Sequence, residues 1–211
     1  MIPVRLKRAL GLVATFGAIT LAAHAPTETS SAAAPPVRFS WNHDPSAVVV
    51  SYREIWGELA EQDPIPLIQV FGDGRVLVHH PVYTLKAGDY EVWLQPAELE
   101  NLLSSLLSKG LATFEPTAVK SRKHSQQQKR LNSALAAKQA PVVFTVADAS
   151  ISVFELNLTA VSAGELQRKI SWPSLEADAK RYPDIQSIQQ LRAAELQLRE
   201  MLDRDDLSKV R

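Results

Sequence analysis

The residues best suited to acid–base or metal chemistry are the four histidines that follow residue 25: His43, His79, His80 and His124. His79 and His80 are adjacent in a stretch of strand composition, so their side chains are expected on opposite faces of a sheet and cannot bind one ion together. A metal site would need His43, or an acid such as Asp44, to come alongside one of them on folding. The alternative is a strand end that emerges into water before Pro81. We assign no metal ligand and no cofactor from the sequence.

Nucleophilic catalysis has less support. The chain has no cysteine, which excludes disulfides, cysteine-ligated metals and a thiol nucleophile. It also has no Gly-x-Ser-x-Gly elbow, and its Ser, His and Asp residues are scattered. Gly72-Asp73-Gly74 lacks the Lys-Ser/Thr ending of a phosphate loop and joins two apolar runs. No catalytic residue is assigned, and a site assembled only in three dimensions stays open.

A basic insert at about 116–140 is the unusual charge feature. Residues 116–147 contain no acid and six cations. One interpretation is contact with an anionic envelope component, such as phospholipid, lipopolysaccharide or an acidic partner. The cations assigned to that contact are Lys120, Arg122, Lys123, Lys129 and Arg130. The alternative is a solvated face that pairs with acids elsewhere, namely Glu54, Glu58, Glu61 and Asp63.

The insert is also poor in apolar residues. Between about 125 and 139 only Leu131 and Leu135 are sizeable apolar side chains. This composition predicts a weakly anchored helix or a mobile loop whose firm contacts are those two leucines.

The first 25 residues predict a secretory signal peptide. Arg5, Lys7 and Arg8 precede an uncharged run over 9–23, and Ala23-His24-Ala25 supplies a small-x-small cleavage pattern. We expect bacterial export, to the periplasm or the medium, with Pro26 as the first mature residue. An uncleaved signal that anchors the chain in the membrane is the alternative. No later run is long enough to span a bilayer, and the missing cysteine excludes a lipoprotein.

The remaining chain is expected to form one domain over 41–206, after a Pro/Ser/Ala-rich spacer (26–40) and before a polar tail (207–211). Without the signal it carries about three net negative charges, which does not indicate a nucleic-acid binder.

Strands are predicted at 47–56, 66–71, 75–79, 90–94, 141–146 and 150–158. The second and third make a hairpin around Asp73 and Gly74, with Gly74 at positive φ. The last two make a second hairpin about residues 147–149, with a possible register shift at Phe154.

Three helices complete the prediction. The first runs from Pro96 to Gly110 on a leucine stripe, with Gly110 as a left-handed cap. A short helix is capped by Ser174 and leads to Tyr182. A longer one opens at 183–184 and carries the stripe Ile185, Ile188, Leu191, Ala194, Leu198 and Met201. Strands joined by tight turns are antiparallel, so the fold class is α+β, with a mostly antiparallel sheet of two hairpins and helices packed on one face.

Residues 65–76, which read IPLIQVFGDGRV, resemble the central hairpin of a group of exported bacterial proteins and lipoproteins of uncharacterised function. In that group a Gly-Asp-Gly-Arg-Val hairpin is followed by a leucine-rich helix and later by a Trp-Pro motif, here Trp172-Pro173. The resemblance spans roughly 47–175 and implies export and fold type, with no catalytic residue. This chain departs from the lipoproteins by lacking the lipid-bearing cysteine.

Three functional hypotheses follow. The first is an exported, soluble, non-enzymatic binding module of the bacterial envelope, whose partner is an envelope protein or an anionic envelope component. The second is a small hydrolase, which a deep pocket joining His79 or His80 with acids would favour. The third is a structural partner whose C-terminal helix docks on another chain, which an exposed apolar stripe on that helix would indicate.

Overall fold

A computed structural model describes residues 39–57, 63–140, 149–160 and 164–210. The predicted signal peptide, most of the spacer, Glu58, Glu61 and the predicted strand 141–146 lie outside the described residues. The statements below concern the described ranges.

These residues form an eight-stranded antiparallel sheet and four α-helices, which confirms the α+β prediction. The strands are β1 (Phe39–Ser40), β2 (Val48–Trp56), β3 (Ile68–Phe71), β4 (Arg75–His80), β5 (Gly88–Trp93), β6 (Ser150–Ala160), β7 (Gly164–Pro173) and β8 (Ser208–Lys209). The sheet order is β1-β6-β2-β3-β4-β5-β8, and β7 pairs with the other side of β6.

The helices are α1 (Pro96–Ser108), α2 (Pro116–Ala136), α3 (Leu175–Arg181) and α4 (Gln186–Arg199). Short 3-10 turns follow α1 at Leu111–Thr113 and α4 at Glu200–Asp203. Pro96 occupies the first turn of α1, and the Glu98 carboxylate accepts the Gln95 backbone N–H at 2.7 Å. Proline at this position loses no helical hydrogen bond, and the acid satisfies a free donor.

The β3–β4 hairpin forms as its turn sequence predicts. Gly74 has φ of 95°, a conformation that costs glycine little and other residues more. A side chain at Gly74 would also meet the Leu94 carbonyl oxygen at 2.5 Å. The Gly74 carbonyl in turn accepts the Leu94 backbone N–H at 2.9 Å, so the turn ties β4 to the start of α1.

The core lies between one sheet face and the helices. Register places Val50 opposite Leu156 and Tyr52 opposite Phe154, and side chains directly opposite each other share a face. The leucines of α1 and the stripe of α4 are buried against that face. The apolar stripe of α4 therefore packs against the chain's own core. It is not exposed, as docking of this helix on another chain would require.

One arm of the second predicted hairpin, 141–146, lies outside the described residues, and the other arm is β6, whose described partners are β1, β2 and β7. Strand β6 pairs with β7 in continuous register from Ile151↔Pro173 to Ala160↔Gly164, and β7 is a strand that the sequence did not predict. No register shift occurs at Phe154, because Ser152, Phe154 and Leu156 alternate regularly toward the core. Ser174 makes no side-chain cap and has φ of 55°.

The prediction for the basic insert also needs correction. It forms the 21-residue helix α2, in which Val119 is the buried residue. Leu131 and Leu135, predicted as its firm contacts, are 38% and 59% exposed. The helix is held instead by Val119 and by polar contacts of Lys123 and Arg130.

Two short strands lie where no regular structure was expected. β1 falls at the end of the predicted spacer and pairs with β6, and β8 falls in the predicted polar tail and pairs with β5.

Candidate functional site

A pocket lies where one end of the sheet meets the end of α4. Its volume is about 190 Å³ and it is open to solvent. The ends of β2 and β4, the segment after β4 and the turn after α4 supply its walls. The polar lining residues are Glu54, Asp63, His79, His80, Tyr83, Thr84 and Arg199. We call this the sheet-end pocket.

His79 is clamped between two carboxylates. Its Nε2 lies 2.7 Å from Asp63 Oδ2, and its Nδ1 lies 2.6 Å from Asp89 Oδ1. Burial lowers the pKa of His79, but hydrogen bonds to Asp89 and Asp63 outweigh it and raise the pKa overall. For Asp63, burial works to raise the pKa, and the bond to His79 lowers it overall. A carboxylate faces each ring nitrogen, so the doubly protonated ring is the form that satisfies both contacts, and neither nitrogen is free to act as a base.

His80 presents the opposite situation. Its ring packs edge-on against Tyr90 with centroids 5.4 Å apart, on the sheet face opposite to that of His79. This confirms that the adjacent histidines point to different faces. Its Nε2 is buried, and in the described part of the chain it has no hydrogen-bond partner. A buried polar atom left unpaired costs about 1–3 kcal/mol, so a bound group that pairs with it recovers that cost.

Glu54 connects the pocket to a buried polar network. Its carboxylate pairs with Arg199 and lies 2.9 Å from the Tyr52 hydroxyl, which is 2.7 Å from buried Glu195. Ser152 donates to the same Glu195 oxygen at 2.6 Å, and Arg192 pairs with the other. Burial, then the charges of Glu195 and Glu54, raises the pKa of Tyr52. The Tyr52 hydroxyl therefore stays protonated and donates within this network.

Exposed apolar side chains surround the pocket. Trp56, Ile65 and Tyr83 line it and are 40%, 43% and 57% exposed. Val82 and Leu85, on either side of Tyr83 in the chain, are exposed as well. Burial, and next the charge of Asp63, raises the pKa of Tyr83, so this phenol is neutral at physiological pH. Apolar residues gathered at one end of a sheet are typical of a contact surface.

The cations predicted to contact an anionic surface divide into two sets. Lys123 pairs with buried Asp178 and lies over the Trp172 ring, while Arg130 donates to the Arg181 carbonyl at 2.9 Å. Lys120, Arg122 and Lys129 are exposed on α2. The five cations therefore do not form one free surface.

The acids offered as partners for these cations are engaged elsewhere. Glu54 binds Arg199 and Asp63 binds His79. The acid that actually meets α2 is Asp178, which also accepts the Trp172 indole N–H at 2.9 Å. The sequence did not predict the burial of Glu195 and Asp178, because an acidic residue in an amphipathic helix is usually assigned to the solvent-facing side. The position of Glu195 next to Ala194 in the α4 stripe was the available signal.

The described residues contain no group of three or more His, Asp or Glu side chains arranged to hold a metal ion. His43, which the sequence offered as a second ligand for His79 or His80, packs instead against Trp41, with ring centroids 4.8 Å apart.

No protein family, curated protein or solved structure matches this chain. Within the described ranges, no helix combines the length and apolar character needed to cross a bilayer. The described sheet and helices define the chain as an α+β protein.

Proposed function

We propose that this chain is an exported binding domain of the bacterial envelope, and that it recognises a protein partner at the sheet-end pocket. One observation carries the proposal: His80, whose buried Nε2 has no hydrogen-bond partner among the described residues, lines a pocket rimmed by exposed Trp56, Ile65 and Tyr83. A partner side chain that makes one hydrogen bond to His80 Nε2 would satisfy the unpaired atom. Apolar residues around that side chain would cover the exposed rim of the pocket.

The state of the other polar groups supports binding over catalysis. His79 uses both ring nitrogens in ion pairs, Glu54 is held by Arg199 and Tyr52, and Thr84 donates to the Pro81 carbonyl at 2.8 Å. A general base or nucleophile needs a free atom within reach of the substrate. These three side chains are rigid parts of the wall.

A hydrolase is the second candidate, because His80, Asp63 and Glu54 are all among the residues that line the pocket. In this case His80 activates a water molecule through Nε2. The pocket volume of about 190 Å³ lies below the range of about 300–1,000 Å³ usual for small-molecule sites, which favours a protruding side chain of a larger partner.

The test is site-directed photo-crosslinking in the exporting host. A photoreactive phenylalanine replaces Tyr83 in one variant and Trp93 in the other. Trp93 is a matched control, because it is 54% exposed but lies at the opposite end of β5. We expect a discrete protein adduct from position 83 and none from position 93.

His80→Phe gives the second arm, since it removes Nε2 while it keeps an aromatic ring against Tyr90. It should abolish the adduct at position 83 without lowering the melting temperature. Equal adducts at both positions, or none, would refute the proposal. Ester or amide hydrolysis by the purified protein that disappears in His80→Phe would favour the hydrolase instead.

A further inference from the structure

Among the described residues, strand β7 forms a long edge of the sheet. It pairs with β6 along its whole length, and no strand in the described ranges pairs with its other side. The exposed residues along it are Glu165, Gln167, Arg168, Lys169, Ser171 and Pro173. An edge of ten residues offers a row of backbone N–H and C=O groups to another strand.

The charges along this edge are complementary to themselves. Glu165, Gln167 and Lys169 lie on one face, because alternate residues of a strand share a face. When two copies of the strand pair antiparallel about Gln167, each Glu165 lies opposite the second copy's Lys169. The two-fold axis makes that ion pair twice and places one Gln167 amide beside the other.

Neighbouring registers do not give this match. Pairing centred on Arg168 or on Lys169 sets identical cations opposite each other, which is unfavourable. Pairing centred on Leu166 sets Glu165 opposite Gln167 and makes no ion pair. The edge therefore favours one register over its neighbours.

Arg168, the other exposed cation of β7, is bound to residues of its own chain. The Arg168 Nε donates to the Ala112 carbonyl at 2.9 Å, and its guanidinium pairs with Glu115 at 3.6 Å. Lys169 contacts Glu155 of the adjacent strand at 2.6 Å, yet its side chain stays 61% exposed. Since an ammonium has three N–H donors, Lys169 keeps donors for a second carboxylate.

We propose that two copies of this chain associate through β7, antiparallel and centred on Gln167. The shared elements are one strand pair and two symmetric Glu165–Lys169 ion pairs. This inference is independent of the sheet-end pocket.

Sedimentation velocity on the purified full chain across the micromolar range tests the proposal. The wild-type chain should form a dimer. Glu165→Lys alone, or Lys169→Glu alone, turns both attractive pairs into repulsive ones and should weaken the dimer by about tenfold or more. Glu100→Lys, the same charge change at an exposed position of α1, should leave the dimer unchanged.

Mixing the two single variants separates this pairing from a folding defect. In the mixed dimer the lysine introduced by Glu165→Lys faces the glutamate introduced by Lys169→Glu. The native Lys169 of the first variant faces the native Glu165 of the second, so both pairs are attractive and the dimer should return. A wild-type chain that stays monomeric, a dimer insensitive to either variant, or a mixture that stays monomeric would overturn the proposal.

Discussion

The contact between Lys123 and Asp178 makes a strong prediction about stability. The Asp178 side chain is 5% exposed, and its carboxylate takes two donors, the Lys123 ammonium and the Trp172 indole. Lys123→Met keeps the aliphatic stem of the side chain and removes the charge. It leaves a buried carboxylate with one neutral donor.

The magnitude follows from burial. Loss of one partner from a fully buried ion pair costs about 3–5 kcal/mol. Lys123 keeps 22% side-chain exposure, so solvent screens part of the interaction, and we expect about 2–3 kcal/mol. The lost cation–π contacts with Trp172 and Tyr182 are included in that figure.

Urea denaturation followed by circular dichroism measures the free energy of unfolding. Lys120→Met, three residues earlier on the exposed side of α2, is the control and should change it by less than about 0.5 kcal/mol. Adding Asp178→Asn to Lys123→Met removes the stranded charge and should recover part of the loss. Equal effects of the two lysine variants, or a further loss on adding Asp178→Asn, would refute the reasoning.

Three further predictions concern the turn, the histidine bridge and α2. Gly74→Ala should lower the free energy of unfolding by at least about 1 kcal/mol, through positive φ and a clash with the Leu94 carbonyl. The pKa of His79 is raised in the folded state. The stability that His79 contributes is therefore complete below its ordinary pKa of 6.5 and should fall as pH rises through its folded-state pKa. Measuring the free energy of unfolding against pH tests this. In hydrogen exchange, amides of the second half of α2 should exchange faster than those of α1, because α2 buries only Val119.

Each of these has its own control. Gly57→Ala adds a methyl group that, its chain neighbours aside, meets no atom of the described residues within 4 Å, and it should cost far less than Gly74→Ala; equal losses would contradict the assignment of strain. His79→Gln should flatten the stability curve above neutral pH, and an unchanged slope would exclude His79 as its source. Exchange in α2 as slow as in α1 would mean that α2 is held by contacts other than Val119, Lys123 and Arg130.

Local signals in the sequence predicted much of the fold. The Gly72–Gly74 turn, the leucines of α1 and the stripe of α4 each depend on neighbours a few residues away, so periodicity and turn chemistry were sufficient. Strand β7 was missed because Gly164–Pro173 mixes charged and apolar residues, as an edge strand does when one face meets solvent. Its role depends on pairing with β6, which composition alone does not encode.

The candidate site was harder to predict for the same reason. His79 and His80 were correctly placed on opposite faces. The partners of His79, however, are Asp63, 16 residues away, and Asp89, 10 residues away, and no spacing motif links them. The anchor of α2 was also missed, because the Lys123–Asp178 pair joins two helices 55 residues apart. Because of this tertiary contact, α2 is not the purely solvated basic helix that its composition suggests.

The Tyr52 hydroxyl has one hydrogen and two carboxylates within reach, Glu54 at the pocket and Glu195 in the core. It can serve only one of them fully at a time, and Ser152 already donates to Glu195. The O–H bond can therefore point either toward Glu54 at the pocket or toward Glu195 in the core. A partner that draws the Glu54 carboxylate away would leave Glu195 as the acceptor of this hydrogen, so the Tyr52 hydroxyl links the occupancy of the pocket to a hydrogen bond inside the core.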